Sequence, residues 1–187
     1  MKYKILGKQY NTDKCFVCGM SNDAGVKAQF YTAQRCNDDN VPSPYSCLIT
    51  VIKPQAIHQS YPNRMHGGVI SALLDESIGR AVQITHPDIW AVTIDLNVKF
   101  RSAVPLDQTL YIESKITNVG TRAFEGEAEM YVGRQSKSST STSQPRPVAT
   151  ATGKFFIVPY DTAFPTEKLT DKNWFMVPEN FPKYIEI

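Results

Sequence analysis

The chain has 187 residues, a net charge of +2 at pH 7, 42% hydrophobic and 20% charged side chains, the profile of one globular domain with room for a real core. The near-neutral charge gives no footprint for nucleic acid, no apolar run approaches the length of a membrane span, and four cysteines are too few for a disulfide framework. The opening MKYKILGKQYNTDK lacks the continuous apolar segment of a secretory signal, so a reduced cytoplasm is the expected location.

Residues 1–14 are a mixed lead-in suited to a short edge segment. Cys15 and Cys18 then form a lone C-x-x-C, which invites a metal or redox reading. A structural zinc site wants four ligands, and Cys36 and Cys47 do not supply a second close pair. The next residues (Gly19, Ser21, Asn22, Asp23, Gly25) suit a plain reversal, so no metal ligand set is expected. Residues 26–32 alternate, with Val26, Ala28 and Phe30 on one face and Lys27 and Gln29 on the other, as a strand does. A turn-rich link over 36–44 leads to a second strand at 45–52, and residues 54–65 read as an irregular loop.

The segment from His66 to Thr85, HGGVISALLDESIGRAVQIT, reads as one long helix opened by a Gly-Gly pair. At roughly 100° per residue, Ile70, Leu73, Leu74, Ile78, Ala81, Val82 and Ile84 share a broad apolar stripe that needs a sheet to lie on. A narrower stripe beside it holds Gly68, Ser71, Ala72, Gly79 and one acid, Asp75. The neighbouring acid, Glu76, stands four residues before Arg80 and is expected to form a solvated surface ion pair. Asp75 has no such partner. A carboxylate among small residues at the edge of an apolar face must be wet, paired or used; tying the helix to a strand is the structural alternative. At the helix start, Gly67 and Gly68 leave amides uncovered where the dipole is positive, which suits a tight turn and also suits an oxyanion.

After a turn at 86–88, residues 90–101 read as a long strand with Val92, Ile94, Leu96, Val98 and Phe100 on its apolar face and Thr93, Asp95, Asn97 and Lys99 on the polar one. Residues 110–118 and 123–132 form a hairpin whose second strand turns Phe124, Gly126, Ala128 and Met130 inward and Glu125, Glu127 and Glu129 to solvent. KSSTSTSQPRP, within residues 133–147, is a polar low-complexity tip. Residues 148–158 close the sheet, with Ala149, Ala151, Gly153, Phe155 and Ile157 facing in. Residues 159–187 are rich in proline and aromatics, too apolar for a free linker. The expected division is a domain over 1–158 and an extension over 159–187 packed on it or on a neighbouring subunit.

His66-Gly67-Gly68 with Asp75 after six intervening residues resembles the H-G-G-x6-D/E signature of hotdog-fold acyl-CoA thioesterases, in particular the phenylacetate-pathway type. Cys15-Phe16-Val17-Cys18-Gly19 resembles an N-terminal motif of one branch of that group. The strand 91–97, Phe100-Arg101 and Val104-Pro105-Leu106 are similar to the segment after the helix in those proteins, so the resemblance spans about residues 15–158. It implies an α+β fold in which a curled antiparallel sheet wraps one long central helix. It also implies a homodimer or dimer of dimers with sites at the subunit interface, and an acyl-CoA substrate with no cofactor.

In that reading the Gly67 amide holds the carbonyl oxygen, with Gly68 beside the substrate. Asp75 is a general base or the nucleophile, His66 is structural or a positioning group, and Thr93 orients the water. Thr93, however, falls on the face opposite the apolar row, a tension that a bulge or a partner subunit resolves; a routine strand threonine is the plain alternative. Where related enzymes hold water with an amide side chain, this chain has Ser60, which leaves the water-holding group open. Arg64, Lys99 and Arg101 are candidate cations for the CoA phosphates. The rival readings are a non-catalytic acyl-CoA-binding protein and a hydratase or dehydratase of the same fold.

Overall fold

The computed structural model describes residues 1–87, 89–133, 145–158 and 180–187. The expected polar tip lies mostly outside these residues, as does most of the expected extension. The main strands are β1 (Lys2–Lys8), β2 (Gln29–Cys36), β3 (Pro42–Ile52), β6 (Trp90–Phe100), β7 (Leu110–Val119), β8 (Ala123–Val132), β9 (Ala149–Val158) and β10 (Tyr184–Glu186). These eight form one antiparallel sheet in the order β10-β1-β2-β3-β7-β8-β9-β6. A small hairpin, β4 (Gln59–Tyr61) with β5 (Arg64–Met65), leads into the helix α1, Gly67–Ala81, which a 3-10 turn over Val82–Ile84 prolongs. The sheet wraps this helix, the hotdog arrangement of the α+β class.

The apolar stripe explains the packing. Ile70, Leu73, Leu74, Ile78, Ala81 and Val82 are buried against the concave face of the sheet, among them Phe30, Leu48, Ile112, Phe124, Met130 and Phe155. Helix and sheet meet closely at Gly126, where an added Cβ would stand 2.7 Å from Ile78 Cγ2 and 2.9 Å from the Lys115 carbonyl oxygen. A polar seam runs through this core. Thr50 and Ser77 share a hydrogen bond (2.8 Å), Ser77 Oγ donates back to Leu73 O (2.7 Å), and Ser114 Oγ donates to Ser77 O (2.9 Å). Because every buried hydroxyl in the seam has a partner, it fixes the helix over β3 and β7 with the desolvation of those groups compensated.

The lead-in forms β1, which is not an edge: it pairs with β2 on one side and β10 on the other. Its inward-turned Tyr3 and Ile5 join Tyr31, Ile49, Tyr131, Ile185 and Ile187 in a second, smaller core on the opposite face of the sheet. The true edges are short β10 and eleven-residue β6. The expected apolar row on β6 is broken. A register shift between Thr93 and Asp95 inserts Ile94 as an extra residue opposite β9, so the alternation changes phase there. Ala91, Leu96 and Val98 pack on the core, whereas Val92 is 51% and Ile94 55% exposed.

Candidate active site

α1 begins at a histidine cap. His66 has extended backbone, and its Nδ1 accepts the Gly68 N–H at 2.9 Å. Val69 and Ile70 donate to the His66 carbonyl oxygen at 3.0 and 3.1 Å. Of the opening amides this leaves Gly67 N–H, which makes no hydrogen bond among the described residues. It sits at the positive end of the helix dipole, beside the exposed Phe100 ring. That ring lies 3.6 Å from where a Cβ on Gly67 would stand. The Gly68 amide, by contrast, is already committed to His66.

The hairpin before the helix is held by residues that give little signal in the sequence. Asn63 adopts a left-handed backbone (φ 53°), and its Oδ1 accepts the Leu106 amide at 3.1 Å. The buried His58 passes its carbonyl oxygen to the His66 amide at 2.9 Å. Ser60 is exposed and donates only a long bond, 3.5 Å, to Arg64 O.

Two turns along the helix, Asp75 lines a cleft of about 230 Å³ with Tyr10, Glu76, Arg80, Trp90 and Thr93. Thr93 Oγ1 donates to Asp75 Oδ1 at 2.8 Å. The bulge at Ile94 brings this about, since it puts Thr93 in phase with the inward residues Leu96 and Val98. Asp75 Oδ2 has no hydrogen-bond partner among the described residues. Burial pushes the Asp75 carboxyl above its ordinary range, Thr93 pulls against that, and the neighbouring Glu76 adds to it. A half-buried carboxylate with one oxygen fixed and the other free is equipped to take a proton from water or to attack an electrophile.

Glu76 is different from the solvated pair expected of it. Arg80 is only 7% exposed, and its Nε donates to Glu76 Oε1 at 2.6 Å. Nη1 donates to Tyr10 O at 3.0 Å and Nη2 to Cys18 Sγ at 3.2 Å, while the guanidinium lies over the rings of Phe30 and Tyr10. The residues that bury Arg80 come from the N-terminal loop and β2, far away in sequence, so no local pattern announces it.

The structure brings together Asp75 with Thr93, and His66 with Gly67 and Gly68, but it does not join the two groups within one chain. Eight residues at about 1.5 Å each separate Gly67 from Asp75 by roughly 12 Å along the helix. Lys99 and Arg101 share a separate groove with Glu127 and Glu129, and Arg64 is exposed beside the β4–β5 turn. No helix among the described residues is long and apolar enough to cross a membrane.

No curated protein matches the chain significantly. Among solved structures, zebra fish thioesterase superfamily member 2 is 12% identical, covers 69% of this chain and 81% of its own, and superposes with a TM-score of 0.51. A substituted form of a hypothetical thioesterase protein from Streptococcus pneumoniae TIGR4 is 19% identical, covers 60% of this chain and 83% of its own, with a TM-score of 0.50. At these identities the likeness concerns the fold. Residues 63–139, which contain the histidine cap, Asp75 and Thr93, match the family model described as Thioesterase superfamily.

Proposed function

We propose that this chain belongs to the thioesterase superfamily and hydrolyses an acyl-CoA thioester at a site assembled from two copies of the chain. The Asp75–Thr93 pair carries the reading: a carboxylate held at one oxygen, free at the other and raised in pKa by burial, inside a segment that matches a thioesterase model.

In this mechanism the thioester carbonyl oxygen lies against the Gly67 N–H, and Gly68, having no side chain, lets the His66 ring close over the helix start beside the substrate. Asp75 Oδ2 takes a proton from water as the water oxygen adds to the carbonyl carbon, and the developing oxyanion is held at the helix terminus. The carbon–sulfur bond then breaks, and the proton passes from Asp75 to the leaving thiolate. If Asp75 attacks directly instead, the carbon–sulfur bond breaks as the CoA thiolate leaves, a mixed anhydride forms, and its hydrolysis at the Asp75 carbonyl in oxygen-18 water labels the Asp75 carboxylate within a single turnover. His66 acts through the Gly68 amide as a positioning residue that keeps the helix start open.

A single chain holds the oxyanion donor and the acid about two helical turns apart, which supports a site shared by facing chains. β6 is the surface that fits this pairing: a long edge strand with exposed Val92 and Ile94 is a template for a second copy.

The test is thiol release from short, long and aromatic acyl-CoAs, comparing the natural chain with Asp75→Asn. Loss of about 10²–10⁴-fold in kcat, with fold and oligomer intact, is the expected result. Binding without thiol release in the natural chain overturns hydrolysis in favour of a binding protein, and full activity in Asp75→Asn overturns the site.

A further inference from the structure

The loop ahead of β2 holds a second cluster that hydrolysis does not use. In Cys15-Phe16-Val17-Cys18-Gly19 the Cys15 Sγ accepts the amides of Val17 (3.3 Å) and Cys18 (3.4 Å), and Gly19 N–H donates to Cys15 O at 2.8 Å. The turn is tight enough that a Cβ at Gly19 would lie 2.4 Å from the Cys15 carbonyl oxygen. It directs both thiols to one side, towards α1. There Cys15 Sγ, Cys18 Sγ and a Glu76 carboxylate oxygen all lie within 4.8 Å of one another. The sequence pattern lacks a second cysteine pair; the structure supplies a carboxylate in its place.

We propose that Cys15, Cys18 and Glu76 bind one zinc ion, which clasps the N-terminal loop to the helix that carries Asp75. Zinc–sulfur bonds of about 2.3 Å and zinc–oxygen bonds of about 2.0–2.2 Å place tetrahedral donors under 4 Å apart, so the triad closes on an ion by roughly an ångström. Two thiolates in the donor set select zinc over calcium or magnesium. The surroundings fit thiolate ligands. Both sulfurs receive N–H donors, Cys15 from the backbone and Cys18 from Arg80 Nη2, the outer contacts that orient metal-bound sulfur. Arg80 engages Glu76 through Oε1, and the other carboxylate oxygen has no hydrogen-bond partner among the described residues.

Charge balance points the same way. Two thiolates and a carboxylate against a divalent ion and a guanidinium leave a half-buried cluster neutral, which a low-dielectric setting favours. The fourth position falls to water. Because Glu76 comes directly after Asp75 and Tyr10 lines the same cleft, the ion fixes one wall of that cleft.

The full-length chain, reduced and free of metal, is titrated with zinc against a chromophoric chelator, and bound metal is counted by plasma mass spectrometry. One zinc per chain is expected, with loss in Cys15→Ser and in Cys18→Ser and retention in Cys36→Ser and Cys47→Ser. Glu76→Gln weakens the site by at least about tenfold, the scale on which loss of even an outer partner is felt. Circular dichroism reports whether each variant folds, and cobalt substitution adds a readout independent of stability: sulfur-to-cobalt charge-transfer absorption in the natural chain, absent in Cys15→Ser. The proposal is overturned if the reduced chain takes up no zinc at micromolar free metal. Folded cysteine variants that bind as the natural chain does overturn it equally.

Discussion

Asp75 and Glu76 are neighbours on one helix and line one cleft, yet they have opposite surroundings. Glu76 is locked: Arg80 holds it at 2.6 Å, and Arg80 is in turn held by the Tyr10 carbonyl, the Cys18 sulfur and two aromatic rings. Asp75 receives one hydroxyl and nothing more among the described residues, and burial raises its pKa without a cation to offset it. The contrast separates a carboxylate whose charge is spent on structure from one whose charge is available for chemistry. Both are conspicuous acids in the sequence, and only the partner of each tells them apart.

Removing the free carboxylate has the largest expected effect on rate. Asp75→Asn, beyond its loss of turnover, should make the protein more stable at neutral pH. The folded chain raises the Asp75 pKa, so folding favours the protonated form. That favourable contribution is complete below the ordinary carboxylate pKa and is lost as pH rises through the raised value. At pH 7 the ionised Asp75 is therefore a cost that asparagine removes, and melting curves of the two proteins should converge in acid. Equal or lower stability of the variant at neutral pH would contradict this account of the site.

Gly67→Pro tests the other half of the site and should cost about 10²–10³ in kcat. Proline suits the first helical position, the preceding His66 is already extended, and the change deletes the N–H while its added ring meets Phe100 at ordinary contact distance. Mixing this chain with Asp75→Asn chains then distinguishes a shared site from a private one. If facing copies complete each other, random dimers regain about one quarter of natural activity, since half the dimers carry one intact site of two. No recovery, with mixed dimers demonstrated, would place both groups in one chain.

On the locked side the effect should fall on stability. Arg80→Met leaves Glu76 without its cation and removes the Nη1 hydrogen bond to the Tyr10 carbonyl, a loss of about 3–5 kcal/mol for a broken buried pair. For a chain of this length that lowers the melting temperature by roughly 10 °C, measurable by calorimetry.

The division between legible and hidden features comes from sequence separation. The helix, the β7–β8 hairpin and the closing strand are readable because their apolar periods repeat locally, and the buried Ile70, Leu73, Leu74, Ile78, Phe124, Met130 and Phe155 fall where those periods put them. The acid at 75 is readable because it interrupts a stripe. Arg80 reads as solvated because Tyr10, Cys18 and Phe30, which cover it, lie at least fifty residues away along the chain. The phase of β6 is misleading because Val92, Thr93, Ile94, Asp95 and Leu96 alternate without interruption; a bulge is set by pairing with β9, which residue types along one strand do not encode.

That bulge leads to the smallest and most discriminating expectation. Thr93→Val keeps the size and β-branching of the side chain and deletes only the hydroxyl that reaches Asp75 Oδ1. A bond of about 1 kcal/mol to a partly solvated carboxylate corresponds to roughly fivefold in kcat. The pH profile carries more information than the rate. Thr93 donates to the ionised carboxylate and so holds its pKa down against burial and Glu76. Without it the pKa rises, and because the reaction needs the ionised form, the acid limb of kcat must move to higher pH. A strand threonine with no part in the site would leave that limb where it was. A shift to lower pH would mean that the hydroxyl favours the protonated acid, reversing the role assigned to it.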